Sequence, residues 1–252
     1  MQRRLTGRIC LITGASAGFG AHFARLAVRE GAQVVLGARR MDRVAALAAE
    51  LGAGNALAVA MDVTDEAATI AAFDAAEAGF GPVDTVIANA GVSDPGRSTE
   101  ASALGLQSQF DTNILGAFLT AREGARRMMA AGSRQHGRGR ILLIGSLGAQ
   151  APFPGGAAYC ASKAALASLA RSFAGEWVRK GVNVNVIQPG FILTEMANSW
   201  FTSDGGLAQI AGFARGRLQP IESLDEPVVY FCSDAAKNTT GSVLTVDDGQ
   251  SL

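Results

Sequence analysis

The chain has 252 residues, 48% of them apolar and 17% charged, which suits one α/β domain with a large core and excludes a mainly disordered chain. Its 22 basic and 22 acidic residues cancel, so no nucleic acid held by phosphate neutralisation is expected as a partner. No apolar run approaches a membrane span, and Met1–Arg8 leads almost directly into a strand-like segment without room for a secretory leader; the expectation is a cytoplasmic protein with no membrane partner.

Short apolar runs alternate with longer helical segments along the chain. Strands are predicted at Ile9–Thr13, Gln33–Gly37, Leu57–Met61, Val83–Ala88, Ile141–Gly145, Asn183–Ile187 and Val243–Val246. Most are continuously apolar rather than alternating, the pattern of strands covered on both faces. The segments between them, such as Asp42–Leu51 and Asp65–Ala78, are rich in Ala, Leu, Arg and Glu and read as helices. Repeated strand–helix units predict a doubly wound parallel sheet of about seven strands with helices on both faces. With no internal repeat and no linker, residues 1–252 read as a single domain. Ligands of such sheets bind beyond the carboxyl ends of the strands, so the chemistry is sought there.

After the first strand comes Thr13-Gly-Ala-Ser-Ala-Gly-Phe-Gly20 and then a helical segment. Glycines at 14, 18 and 20 permit a tight turn and close approach of backbone to a pyrophosphate, which the helix N-terminus favours. A plain structural turn is the other reading. The second strand runs into Ala38-Arg39-Arg40, where an NAD site would carry an acid for the ribose 2′-hydroxyl. Arginine can instead bind a 2′-phosphate through paired, charge-assisted bonds, so NADP(H) is expected over NAD(H). The alternative is that both arginines only begin the next helix in solvent.

Ser146 ends the fifth strand thirteen residues before Tyr159, and Tyr159-Cys-Ala-Ser-Lys163 opens a helical run. Spaced by four, Tyr159 and Lys163 share one helix face, where a nearby ammonium favours the phenolate. Ser146 could hold a substrate oxygen beside that phenol. Cys10, Cys160, Cys232, His22 and His136 fall outside any metal-ligand spacing, and no metal is expected.

Taken in order, these elements resemble the short-chain dehydrogenase/reductase family over essentially the whole chain. The matching residues are Thr13-Gly14-x-x-x-Gly18-x-Gly20, Asp62-Val63, Asn89-Ala90-Gly91, Asn113, Ser146, Tyr159-x-x-x-Lys163, and Pro189-Gly190 with Thr194. The resemblance implies a Rossmann-like fold and a catalytic set of Asn113, Ser146, Tyr159 and Lys163. It implies cofactor contacts from Gly14, Ser16, Gly18, Phe19 and Gly20, from Arg39 and Arg40, from Asp62 and Val63 at the adenine, and from Tyr159 and Lys163. Asn89, Ala90 and Gly91 would lie beside the ribose, and Pro189, Gly190, Ile192 and Thr194 would position the nicotinamide. Tyr159 would protonate a carbonyl oxygen that Ser146 orients, and Lys163 would hold the ribose and lower the Tyr159 pKa. Asn113 would hold a water linking Lys163 to solvent. Asp62 reads equally as an acid at a helix start.

Residues 195–217 break the strand–helix rhythm and resemble the family's substrate-covering segment. Trp200 and Phe201 would form its apolar side, Gly205 and Gly206 its hinge, and Leu147 and Phe153 the opposite wall; simple packing onto the sheet is the other reading. A neutral ketone or secondary alcohol is the expected substrate. The alternatives are a 3-oxoacyl-thioester substrate, for which Arg126, Arg127 and Arg171 could supply part of a carrier-docking face, and a non-catalytic NADP(H)-sensing protein. The polar run 132–140 reads as a solvated connection. The family often ends its last strand with Asp-Gly-Gly, whereas this chain has Val246-Asp-Asp-Gly-Gln250. A homodimer or homotetramer is also implied, with small residues such as Ala164, Ala170 and Ala174 at its helix contacts.

Overall fold

The seven apolar runs form one sheet whose strands all pair in parallel, in the order β3-β2-β1-β4-β5-β6-β7. In the computed structural model, which describes residues 3–252, β1 spans Ile9–Thr13, β2 Gln33–Ala38, β3 Ala56–Ala60 and β4 Thr85–Ala88. Strands β5 (Gly139–Ile144), β6 (Val182–Pro189) and β7 (Val243–Val246) complete it. The order turns back between β1 and β4, which places a crevice beyond the carboxyl ends of those two strands.

Successive strand residues point to opposite faces, so Cys10 and Ile12 enter one core and Leu11 the other. Helices α1 (Gly18–Arg29) and α2 (Met41–Leu51) cover the first face. On the second, α3 (Glu66–Gly79) is capped by Asp65, whose carboxylate accepts the N–H groups of Ala67 and Ala68. Helix α4 (Ala103–Phe110) passes through one π turn, Asp111–Leu115, into α5 (Gly116–Ala130). The short α6 (Ser133–His136) precedes β5, and α7 (Ala157–Trp177) follows it. Phe73, Met128, Leu166 and Phe173 of α3, α5 and α7 fill the second core, each fully buried Leu or Phe contributing about 1.5–3 kcal/mol. Ala170 and Ala174 pack against this chain's own sheet, whereas Ala164 faces outward.

After β6 the chain makes two small helices, α8 (Asn198–Phe201) and α9 (Asp204–Gly212), and returns to the sheet at a parallel bridge between Ile192 and Gln219. The last helix, α10 (Asp225–Cys232), closes the first face with Val228 and Phe231. The run 132–140 is solvated at 134–137, as its polarity suggests, but not where it enters β5. Arg140 is a buried residue of β5 whose guanidinium donates to the carbonyls of Gly137, Gly139 and Ser233. Arg138 reaches back to the Gly7 carbonyl and to Asp84. Among the described residues no helix is long and apolar enough to cross a membrane.

Candidate active site

The glycine loop is set by the junction of two strand ends. The buried Thr13 hydroxyl accepts the N–H groups of Asn89 and Ala90, both at 3.0 Å, and Asn89 Nδ2 returns a bond to the Thr13 carbonyl at 2.9 Å. At Gly14, φ is 66° and an added Cβ would lie 2.9 Å from Ala90 Cα; at Gly20 it would lie 2.4 Å from the Gly14 carbonyl oxygen. Neither position has room for a side chain. No side chain caps α1 and no acid occupies its first turn. Its first N–H groups are therefore free for an anion, and the loop fits a cofactor pyrophosphate. Phe19 packs on Phe23 with ring centroids 5.9 Å apart and so also serves the core.

At the next strand end, β2 finishes on the buried Ala38 and is followed by the exposed Arg39 and Arg40. The Arg40 guanidinium donates twice to Ser16 Oγ, at 3.1 and 3.0 Å, which brings it to the phosphate loop. Glu195 bridges Arg40 (3.5 Å) and Arg43 (2.8 Å) from across the cleft. Asp62 accepts the Thr64 N–H at 3.0 Å, and this bond, assisted by the Thr64 hydroxyl and the nearby Arg39, holds its carboxyl below the usual range. Val63 is buried against Gly116, where an added Cβ would come within 2.5 Å of Val63 Cγ2.

Tyr159 lies in the first turn of α7 and Lys163 one turn further along. Lys163 is 4% exposed; its Nζ donates to the Ile144 carbonyl at 2.8 Å and lies 5.8 Å from the centre of the Tyr159 ring. Burial pushes this ammonium down to about 8. The Tyr159 phenol is pushed above its ordinary value by burial, against an opposing hydrogen bond with Ser146. The phenol responds here to its burial and to Ser146, while the Lys163 ammonium is turned to the Ile144 carbonyl. The phenol is therefore kept as an acid.

Asn113 stands in the π turn rather than in a regular helix, and is 1% exposed. Its Oδ1 accepts the Val92 N–H at 2.8 Å, while Nδ2 donates to the Val92 carbonyl at 2.9 Å and to Ser162 Oγ at 3.0 Å. Ser162 Oγ in turn donates to the Tyr159 carbonyl at 2.7 Å. Both amide hydrogens are used within the protein. Gly91 faces this pair: an added Cβ would be 3.3 Å from both Asn113 Oδ1 and Lys163 Nζ.

On the far side, Pro189 ends β6, Gly190 donates to the Val246 carbonyl at 2.9 Å and Ile192 is buried. Thr194 approaches to 3.8 Å of where a Gly18 Cβ would stand, so this loop reaches across the cleft to the phosphate loop. Phe153 lies beside Tyr159, ring centroids 6.3 Å apart. Leu147, 2% exposed, has almost no surface to offer a ligand. Phe201 is buried on Phe191, whereas Trp200 is half exposed and donates Nε1 to Gln209 at 2.7 Å. Gly205 and Gly206 are not a hinge: they lie in α9, where an added Cβ would meet the Trp200 ring at 3.1 Å and the Trp200 carbonyl at 2.0 Å. Close packing requires glycine at 206 and leaves little room for a side chain at 205.

Sequence reasoning passed over Phe191, Phe213, Ser162 and Glu195. Phe191 stacks on Phe213 at 5.5 Å and meets Phe153 at 5.7 Å and Phe201 at 5.7 Å, the hub of the aromatic wall. Its place inside the Pro189–Thr194 loop was the available signal.

The short chain dehydrogenase family model matches residues 8–205. The chain belongs to that family. It is 33% identical to D-threitol dehydrogenase of Mycolicibacterium smegmatis, over 99% of this chain and 95% of the relative. It is 36% identical to the 3-alpha-(or 20-beta)-hydroxysteroid dehydrogenase of Mycobacterium tuberculosis, over 99% and 91%. Among solved short-chain dehydrogenases, the 3-ketoacyl-(acyl-carrier-protein) reductase of Brucella melitensis complexed with NADH superposes with a TM-score of 0.89 at 32% identity, covering 98% of this chain and 100% of that one. A gluconate 5-dehydrogenase of Burkholderia cenocepacia in complex with NADP and tartrate gives 0.91 at 28%, covering 99% and 97%. The chain is an oxidoreductase of a family that uses nicotinamide cofactors.

Proposed function

We propose that the protein interconverts a neutral ketone and its secondary alcohol with NADP(H), with Tyr159 as the proton-transfer group. The observation that carries this reading is the convergence of Tyr159, Ser146 and Lys163 beside a glycine loop whose helix start is uncapped. A nicotinamide cofactor, held by the glycine loop and by residues 189–194, would supply the hydride for reduction or accept it for oxidation. Ser146 Oγ orients the substrate oxygen, and the Tyr159 hydroxyl protonates it as negative charge develops there. Lys163 places a buried cation beside the phenol. Asn113, through Ser162, holds the turn of α7 that carries Tyr159.

The preference for NADP(H) is supported by this chain's own residues, since one similar structure holds NADH and another NADP. No acid follows Ala38, and Arg40 already lies on Ser16. The pair with Glu195 is exposed and screened by solvent, so a 2′-phosphate can displace it. Residues 195–217 cover the substrate, with Phe153 and Phe191 as its apolar wall. Arg126 and Arg127 are committed to Glu123, and Arg127 also to Asp74 and Glu77, so of the three arginines Arg171 alone is left for an acidic carrier protein. The chain is expected to work in the cytoplasm as a homodimer or homotetramer.

The test follows nicotinamide absorbance with NADPH or NADH against a panel of cyclic ketones, diketones and 3-oxoacyl thioesters. Turnover of a ketone with NADPH at least about tenfold more efficient than with NADH is the expected result. Tight NADPH binding with no turnover on any carbonyl would replace this reading with cofactor sensing.

A further inference from the structure

The C-terminal turn, where the sequence departs from Asp-Gly-Gly, carries a polar side chain into the base of the substrate-covering segment. Gln250 Oε1 accepts the Phe191 N–H at 2.5 Å, and Gln250 Nε2 donates to the Phe191 carbonyl at 3.1 Å and the Arg217 carbonyl at 3.4 Å. Phe191 and Arg217 are the two stems from which residues 192–216 project. The stems are also joined directly, by the Gln219 N–H donating to the Phe191 carbonyl at 3.0 Å. A single carboxamide thus uses its acceptor and both donors to hold both stems. The same turn grips the second stem again: Asp248 accepts Arg217 Nε at 2.9 Å and pairs with Arg215 Nε at 3.0 Å.

Two further observations give this clamp a direction. An added Cβ on Gly190 would lie 2.4 Å from Gln250 Oε1, so the reach of the amide depends on glycine at that position. The residue it pins, Phe191, is the hub linking Phe201 and Phe213 of the covering segment to Phe153, which lies beside Tyr159. From this geometry, and resting on the reading of 195–217 as the substrate cover, we propose that Gln250 is a positioning residue for substrate: it fixes the Phe191 wall and holds the covering segment closed. Its contacts are to backbone rather than to the reacting groups, so it acts on affinity and not on proton transfer.

The experiment compares full-length wild type, Gln250→Ala and Gln250→Met, each loaded with NADPH, by hydrogen–deuterium exchange. In both variants the peptides covering 192–216 exchange about tenfold faster, while β1 and β5, the Tm and the NADPH Kd stay as in wild type. On the ketone that the panel turns over, KM rises about tenfold and kcat changes less than twofold, the signature of lost binding that the ground and transition states share. Unchanged exchange over 192–216 overturns the proposal. So does faster exchange spread through the whole sheet with a lower Tm, or a fall in kcat at constant KM. Full recovery by methionine, which keeps bulk but not the amide, would assign the effect to packing and overturn it equally. If no ketone turns over, the reductase reading fails while the exchange data still decide the clamp.

Discussion

The two sides of the cleft are built differently. On the cofactor side, Thr13, Asn89 and the glycines at 14 and 20 interlock through short backbone bonds and close contacts, on strands buried to both faces. On the substrate side, residues 192–216 form two short helices with several exposed apolar residues, among them Leu193, Met196, Trp200 and Leu207. They are held by aromatic contacts and by their stems. A cofactor presents the same groups in every turnover and rewards a fixed, preorganised cradle. A segment with few buried contacts opens at lower cost, as substrate admission and release require.

The contrast is sharpened first by removing charge from the fixed side. Lys163→Met is expected to lower kcat by about a hundredfold or more, within the range for loss of acid–base assistance. Its effect should also have a pH signature. The Lys163 ammonium, pushed down to about 8 by burial, is charged below that pH and neutral above it. The Tyr159 phenol, raised by burial, stays protonated throughout that window. For reduction, kcat/KM should therefore hold level below pH 8 and fall as pH rises through it, and the limb should vanish in the variant. A limb retained in Lys163→Met would assign it to another group.

A smaller effect is expected at the adenosine end. Arg40→Ala should weaken NADPH binding about tenfold, as loss of a charge-assisted contact, and leave NADH within twofold. Equal loss for both cofactors would remove Arg40 from any 2′-phosphate role. The smallest effect belongs to the substrate side. Trp200 is half exposed, and Trp200→Ala should shift the ketone KM by about threefold or less with no change in NADPH Kd, as surface substitutions generally do. A large loss of NADPH affinity would break the separation between the two sides.

Much of the cofactor side could be read from the sequence because its signals are local. The Thr13–Gly20 loop, Ala38-Arg39-Arg40 and Tyr159-x-x-x-Lys163 are short spacings tied to one strand end or one helix turn. All seven strands were equally visible as apolar runs. The expected end of β6 at Ile187 fell short because Gln188 and Pro189 break that run, yet both pair with β7, and Gln150 satisfies the Gln188 side chain. Quantities set by burial were not legible. Nothing in the spacing of Tyr159 and Lys163 shows that both groups are buried and shifted by desolvation. Phe191, Phe213 and Gln250 come together from positions 22 to 59 residues apart, and no local pattern joins them. The glycines of α9 suggested a hinge because glycine allows motion; packing beneath Trp200 is the reason they are there.

In the proposed mechanism the main role of Tyr159 is to move the proton. Its most direct test is a paired measurement on Tyr159→Phe: NADPH Kd by fluorescence titration, and kcat on the ketone that wild type turns over. A loss of about a hundredfold to ten-thousandfold in kcat is expected, with the NADPH Kd within about threefold of wild type. Turnover retained within tenfold would contradict it and would require another proton donor in this cleft.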